Sequence, residues 1–201
     1  MYAHGVHHLS KDSVMRDIIE NVGPCTLKPK NDFFESLVQS IMYQQLSLKA
    51  AGTIYDRFLK LVKTLNPKNV LKLTAAQMRK AGVSKQKQTY LKDLAKHFDK
   101  KLLTLHKFEH WSDQEIIKHL TQIKGIGKWT AEMFLIFSLN RLDVFPTDDL
   151  GLQRAIMVNY KLKKYPSLKK MNELAKKWMP YRTIATWYLW RSLEGKNSDW
   201  D

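Results

Sequence analysis

The apolar residues of this 201-residue chain repeat with the period of an α helix, and this periodicity constrains the fold more than any other sequence feature. Apolar side chains recur at three- and four-residue spacing behind residues that commonly begin helices, namely Asp32, Ser47, Ser84 and Ser112. No stretch alternates apolar and polar residues with the period of two that a half-buried strand requires. The sequence therefore predicts an all-α protein of about nine to eleven helices.

Single residues predict two further helix boundaries. Gly82 is expected to end a short helix capped by Thr74, because glycine tolerates the left-handed conformation common at helix ends. Pro180 is expected in the first turn of the last helix, where a missing amide donor costs nothing, and this helix would run to Gly195.

The balance of charge points to a polyanionic partner. The chain has 34 Lys and Arg residues against 19 Asp and Glu residues, which leaves a formal net charge of +15. A chain this basic usually binds a polyanion, and nucleic acid is the leading candidate. The alternative is that the lysines only keep the protein soluble.

The single cysteine limits the chemistry available to the chain. Cys25 alone cannot form an internal disulfide, a thiolate zinc site or an iron–sulfur cluster. No apolar run approaches the roughly 18 residues that cross a bilayer, and the first residues lack the pattern of a signal peptide. We therefore expect an intracellular protein with no membrane partner, no cofactor and no catalytic metal.

Two glycines, Gly125 and Gly127, lie between two predicted helices. Without Cβ atoms they let the backbone turn tightly and approach a ligand closely. Gly127 would open a helix whose first N–H groups and dipole favour an anion, and Lys124 and Lys128 bracket that position. The alternative is an ordinary turn between two helices, since a lone G-x-G is weak evidence.

Several segments resemble a known family. Residues 120–131 (LTQIKGIGKWTA) and 145–149 (FPTDD) are similar to the helix-hairpin-helix, the Gly/Pro-rich loop and the aspartate of the base-excision DNA glycosylases. Residues 34–38, 41–47 and 178–190 match further segments of that family, so the resemblance extends over nearly the whole chain. The 3-methyladenine DNA glycosylase II group is the most similar branch.

The resemblance implies the two-lobed, all-α HhH-GPD fold, with the active-site cleft between the lobes and no iron–sulfur cluster. One glycosylase domain would occupy residues 1–201. Lobe A would comprise residues near 35–140, including the helix-hairpin-helix at 113–138, and lobe B residues near 1–34 and 141–201.

The resemblance also points to a catalytic carboxylate. Hydrolysis of an N-glycosidic bond passes through a cationic sugar, which a carboxylate stabilises. In the family the aspartate lies 22 residues beyond the second hairpin glycine, and Gly127 plus 22 is Asp149. Thr147 or Asp148 would cap the following helix. The alternative is that both carboxylates only begin that helix.

The expected base pocket is aromatic. By resemblance its walls are Trp129 and Trp190, with Met133 where relatives can have tyrosine; core packing is the alternative for Trp190 and its helix neighbour Trp187. Ser40 stands where adenine-mismatch relatives carry a glutamate, so protonation of a neutral leaving base is hard to arrange. Alkylated purines are already cationic, and aromatic walls attract cations by about 0.5–2 kcal/mol.

A base in duplex DNA must be flipped out before its glycosidic bond can be reached. By resemblance Gln45 fills the resulting gap, with Leu46 as the alternative; a solvent-facing helix end is the third interpretation. Lys85 and Lys87 are further candidates for contact with the DNA backbone. Phosphate contacts are expected at four hairpin residues, Lys124, Gly125, Gly127 and Lys128.

The hairpin backbone has one further expected role. By resemblance, the carbonyl groups of Thr121, Ile123 and Gly125 could hold a structural monovalent cation beside the DNA phosphate.

These residues together imply an enzyme that removes alkylated purines such as 3-methyladenine and 7-methylguanine from double-stranded DNA and leaves an abasic site. We expect it to act as a monomer. One alternative is a glycosylase for deaminated or other damaged bases, which the Met133 wall would admit. Another is a helix-hairpin-helix module that binds DNA without catalysis.

Trp129 leads to the first testable prediction. Glycosylases that also cleave the strand use a lysine amine as nucleophile, and this chain has Trp129 where that lysine falls in the family. Borohydride added during turnover should therefore trap no covalent protein–DNA adduct on a denaturing gel, whereas a lyase run in parallel gives a band. A strong trapped band from this protein would contradict a monofunctional mechanism.

Overall fold

The computed structural model describes residues 2–30, 32–103 and 108–194. Within these ranges the chain forms twelve α helices and no β strand, and no helix is long and apolar enough to cross a membrane. In chain order the helices are α1 (Ala3–Leu9), α2 (Ser13–Val22), α3 (Phe33–Tyr43), α4 (Leu48–Val62), α5 (Pro67–Lys72), α6 (Ala75–Lys80), α7 (Lys85–Asp99), α8 (Asp113–Leu120), α9 (Lys128–Phe137), α10 (Leu150–Asn159), α11 (Leu168–Lys176) and α12 (Arg182–Arg191).

The all-α prediction is confirmed, but the predicted number of helices was slightly low. The described residues hold twelve helices against an expected maximum of eleven. α1 has seven residues and α5 six, and helices this short span fewer than two full turns. Their apolar residues are therefore too few to show a clear period.

The predicted helix starts are confirmed. Asp32, Ser47, Thr74, Ser84 and Ser112 each accept a hydrogen bond from the backbone N–H three residues ahead. The capping boxes behind Thr74 and Ser112 are complete, since the third residue of each helix bonds back to the cap. These contacts are local, so the sequence alone predicts them.

The prediction for the last helix was wrong at its start. α12 begins at Arg182, and Pro180 precedes it in a turn in which the Tyr181 N–H donates to the Trp178 carbonyl at 2.7 Å. Tyr181 has a non-helical backbone (φ −119°, ψ 33°), so the proline cannot lie in the first turn. α12 itself ends at Arg191, and the predicted end lies outside the described residues.

The chain divides into two compact units, of which one runs Lys30–Phe134. α7 is its centre, because α3, α5 and α6 pack against it. The buried face of α7 carries Leu91 and Leu94, and α3 contributes Leu37 and Ile41. All four side chains are fully removed from solvent, so each contributes the roughly 1.5–3 kcal/mol expected for burying a large apolar residue.

The other unit joins the N-terminal segment through Pro29 to the chain from Leu135 onward. α12 is its centre, and it packs against α1, α2 and α10. Every residue from Thr183 to Leu189 is buried. A helix enclosed on all sides must be largely apolar all round, which explains why this stretch carries no charge.

α9 is shared between the units, since the division falls between Phe134 and Leu135. The lobe boundaries that the resemblance implies, near residues 34 and 140, stay a prediction.

Candidate functional site

The hairpin between α8 and α9 is held by α7. Gly125 has a φ of +84°, which side-chain-bearing residues rarely adopt, and a Cβ there would overlap the Tyr90 ring. The Lys124 N–H donates to Asp93 Oδ2 at 2.9 Å, and the Gly125 carbonyl accepts from Gln44 Nε2 at 2.8 Å. The tight turn predicted from the two glycines is therefore formed. Two side chains of α7, Tyr90 and Asp93, and Gln44 at the end of α3 support it.

Gly127 lies in a different environment. Its carbonyl accepts from the Ala131 N–H at 3.0 Å, so Gly127 is the residue from which α9 begins. A Cβ added here would meet nothing within 4 Å, in contrast to Gly125. The space in front of this helix start is thus open to an incoming group.

A groove of about 500 Å³ runs beside the hairpin. It is lined by the hairpin residues from Thr121 to Gly127 together with Gln44, Gln45, Gln86, Lys87 and Tyr90. This places the glutamine pair and the hairpin, both expected to contact DNA, at one groove within the same unit.

Gln45 and Leu46 lie in the exposed connection from α3 to α4. Gln45 has a left-handed backbone with a φ of +56°, and Leu46 is 41% exposed. Ser47 then caps α4. Both candidate intercalating residues are therefore accessible, and the choice between them stays a prediction.

The side-chain amine of Lys87 is engaged within the protein. Its Nζ donates to the Met42 carbonyl at 2.6 Å and to the Gln44 carbonyl at 2.8 Å, which closes the C-terminal end of α3. Burial lowers the pKa of this amine from its ordinary value. Its ammonium group is therefore bonded to the protein's own backbone through two of its three hydrogens. Contact of Lys87, which also lines the groove, with the DNA backbone stays a prediction.

The two hairpin lysines differ in their surroundings. Lys124 is exposed at the turn. Lys128 Nζ lies 3.6 Å from Glu132 Oε1 on the next turn of α9, and Glu132 is only 4% exposed. Part of the Lys128 charge therefore balances a buried carboxylate, and Lys124 offers its charge more directly to a ligand.

Two carbonyl groups of the expected cation site already accept hydrogen bonds. The Ile123 carbonyl accepts from the Ile126 N–H at 3.1 Å, and the Gly125 carbonyl accepts from Gln44. A carbonyl oxygen has two lone pairs, so a cation at Thr121, Ile123 and Gly125 stays a prediction. In the described part of the chain, no group of three or more His, Cys, Asp or Glu residues could hold a metal ion.

Asp149 begins α10, and its carboxylate is anchored from two directions. Oδ1 accepts from the Leu152 N–H at 2.6 Å and from the Trp190 indole N–H at 2.9 Å. Asp149 itself is thus the helix cap, and the prediction that Thr147 or Asp148 would cap α10 was wrong. The half-buried carboxylate is held in one orientation, whereas the carboxylate of Asp148 is exposed.

The two tryptophans of α12 have different roles. Trp187 is only 8% exposed and packs edge-on to Tyr188, so the core-packing alternative holds for Trp187. Trp190 is half-buried, bonds to Asp149 and stacks on Phe137 with ring centroids 5.9 Å apart and planes 17° apart. Sequence reasoning did not select Phe137, although it lies two helical turns beyond Trp129.

Trp129 and Met133 lie on α9 in the unit that runs Lys30–Phe134. Together with Phe137 they follow each other at four-residue spacing, which places all three on one face of the helix. Trp129 is 44% exposed and Met133 half-buried. Their role as walls of a base pocket stays a prediction.

Comparison with known proteins agrees with these features. The model of the HhH-GPD superfamily of base excision DNA repair proteins matches residues 38–181. DNA-3-methyladenine glycosylase 1 of Schizosaccharomyces pombe is 36% identical over 87% of this chain and 78% of its own length. The chain therefore belongs to the HhH-GPD superfamily.

Solved structures show the same fold. DNA-3-methyladenine glycosidase from Bacillus halodurans is 38% identical, superposes with a TM-score of 0.84, and is matched over 96% of this chain and 90% of its own. The structure of the 3-methyladenine DNA glycosylase of S. pombe in complex with abasic DNA is 34% identical, with a TM-score of 0.82 and coverage of 94% and 96%.

The contrast between the two glycines predicts separable effects. Gly125→Ala should lower the free energy of unfolding by about 1–3 kcal/mol in urea titrations, because it strains the backbone and presses on Tyr90. Gly127→Ala should stay within about 0.5 kcal/mol of the wild type yet bind duplex DNA several-fold more weakly, because its methyl group would enter the open space. Undiminished DNA affinity of Gly127→Ala would place the DNA backbone elsewhere.

The exposed position of Lys124 predicts a phosphate contact. Lys124→Ala should weaken DNA binding on all sequences alike. It should also reduce the slope of log K against log salt by about 0.9, the contribution of one phosphate contact. Lys128→Ala should do so less strongly, because Lys128 is already paired with Glu132. Lys60→Ala is the control. Lys60 is also exposed, but it lies near the far end of α4, about 18 Å along the helix from its first residue, Leu48. Unchanged slopes in both hairpin variants would remove the hairpin from the DNA interface.

Proposed function

We propose that this protein is a monofunctional DNA glycosylase that excises alkylated purines of the 3-methyladenine and 7-methylguanine type from duplex DNA. The products are the free base and an abasic site in an intact strand. The observation that carries the proposal is the Asp149 carboxylate, fixed by the Trp190 indole at the start of α10, in a chain of this superfamily. Two of its relatives are named as a DNA-3-methyladenine glycosylase and a DNA-3-methyladenine glycosidase, and these names support alkylated purines as the substrate.

The proposed chemistry needs a carboxylate of fixed orientation. As the N-glycosidic bond breaks, positive charge develops on the sugar, and a carboxylate placed beforehand stabilises that charge without reorganising. Two N–H donors on Asp149 Oδ1 supply this preorganisation. Water then completes the displacement at C1′.

Alkylated purines suit the residue types that the chain offers. Such a base leaves without being protonated, because it already carries a positive charge. Ser40, which by resemblance stands at the position of the glutamate in adenine-mismatch relatives, donates its hydroxyl to the Ser36 carbonyl of its own helix at 2.9 Å. Trp190, which bonds to Asp149, would attract the cationic base by about 0.5–2 kcal/mol.

Binding of the DNA is assigned to the Lys30–Phe134 unit. The open helix start at Gly127 and the exposed Lys124 would contact phosphates, and Gln45 or Leu46 would fill the gap left by the flipped base. Phosphate contacts carry no sequence information, which suits an enzyme that must search the whole genome for damage. We expect one copy of the chain to act alone.

Base release from methylated DNA tests the proposal. Wild-type protein should release labelled 3-methyladenine and 7-methylguanine, and Asp149→Asn should release them at least a hundredfold more slowly. Asparagine caps helices about as well as aspartate, so this variant should fold normally. Asp148→Asn is the matched control, since it removes the adjacent, exposed carboxylate and should keep nearly full activity.

Each outcome of that assay is informative. Normal release by Asp149→Asn would assign catalysis to another group. If the wild type releases neither alkylated base, substrates containing hypoxanthine or uracil distinguish a glycosylase with another specificity from a protein that only binds DNA.

A further inference from the structure

The segment that leads to Asp149 is tied to the start of α12. The guanidinium of Arg182 forms a forked pair with Asp143: Nε donates to Oδ1 at 2.7 Å and Nη2 donates to Oδ2 at 2.9 Å. The Arg182 backbone N–H also donates to Asp143 Oδ1 at 3.3 Å. Forked pairs of this kind fix both distance and direction.

Thr183, the next residue of α12, bonds to the same segment with its backbone and its side chain. Its N–H donates to the Leu142 carbonyl at 2.9 Å. Its hydroxyl donates to the Arg141 carbonyl at 2.6 Å and accepts from the Val144 N–H at 3.0 Å. Thr183 is 0% exposed, so no water competes for these groups.

The far end of α12 holds the far end of the same segment. Trp190, seven residues beyond Thr183, donates its indole N–H to Asp149. Between the two attachment points Val144 and Phe145 are buried, with Phe145 packed edge-on to Trp178. The segment 141–149 is therefore fixed at both ends by one rigid helix.

We propose that Arg182 and Thr183 are positioning residues for Asp149: together with Asp143 they form a clamp that sets where the catalytic carboxylate lies. This inference rests on the proposed function. The bond from Trp190 fixes the carboxylate of Asp149, but it does not fix the backbone of residues 141–148 that leads to it. A shift of the segment at residues 141–144 would pull Asp149 away from the sugar or break its bond to Trp190.

The chain offers a matched control for Thr183 on the same helix. Thr186 is also 0% exposed and lies one turn further along α12, and its hydroxyl has no hydrogen-bond partner in the described part of the chain. Thr183→Val and Thr186→Val are therefore the same chemical change at two fully buried sites of α12. Only the first removes contacts with the segment that carries Asp149.

The test measures the single-turnover rate of base release from duplex DNA carrying 7-methylguanine, with protein in excess and at saturation. The affinity for the same DNA and the thermal unfolding midpoint are measured alongside, and rates are compared well below the lowest midpoint. Thr183→Val should lower the rate at least tenfold with DNA affinity within twofold of the wild type. Thr183→Ser, which keeps the hydroxyl, should recover most of the rate, and Thr186→Val should match the wild type.

If Thr183→Val does not fold, Asp143→Asn provides the second route. It keeps the shape of the side chain but places an amide against the Arg182 fork, and it should also lower the rate while leaving DNA affinity unchanged. Folded Thr183→Val or Asp143→Asn protein that releases base within twofold of the wild-type rate would overturn the clamp. An equal loss in Thr186→Val would also overturn it, because the effect would then follow from packing in α12.

The proposed function and the clamp can fail separately. No release of 3-methyladenine or 7-methylguanine by the wild type refutes the proposed function, whereas release by both the wild type and Thr183→Val refutes only the clamp.

Discussion

The hydrogen bond from the Trp190 indole to Asp149 joins the two elements on which the candidate active site depends. Asp149 begins α10, so its carboxylate stabilises the helix start and is also the proposed catalytic group. Trp190 belongs to α12, the buried centre of its unit. The orientation of the carboxylate is therefore coupled to the core of the protein rather than to a mobile loop, which is the support that preorganised electrostatic catalysis requires.

The hairpin follows the same principle with different groups. Three side chains hold the hairpin backbone in place. Asp93 accepts from the Lys124 N–H, Gln44 donates to the Gly125 carbonyl, and the Tyr90 ring lies against Gly125. Lys87 closes the helix that ends beside it. What faces outward is then a small set of features, chiefly the helix start at Gly127, and their positions are fixed before any ligand arrives.

Much of the fold was predictable because the relevant forces are local. The caps at Asp32, Ser47, Thr74, Ser84 and Ser112 are decided within four residues of chain. The start of α12 was not, since the first residue of this helix, Arg182, bonds to Asp143, 39 residues earlier in the chain. The predicted maximum of eleven helices was one too low, because the shortest helices have too few residues to show an apolar period.

The sequence by itself determined the helical class and the glycine turn, and its resemblance to a known family pointed to Asp149 as the candidate carboxylate. Only the tertiary structure decided which groups stand around these residues. Trp190 lies 41 residues from Asp149, and Gln44 lies 81 residues from Gly125. The physical reason is that side-chain hydrogen bonds across such separations depend on how helices pack, and packing is settled by the whole core rather than by any local pattern. The same reason explains why the ammonium of Lys87 bonds to two backbone carbonyl groups whereas Lys124 is exposed.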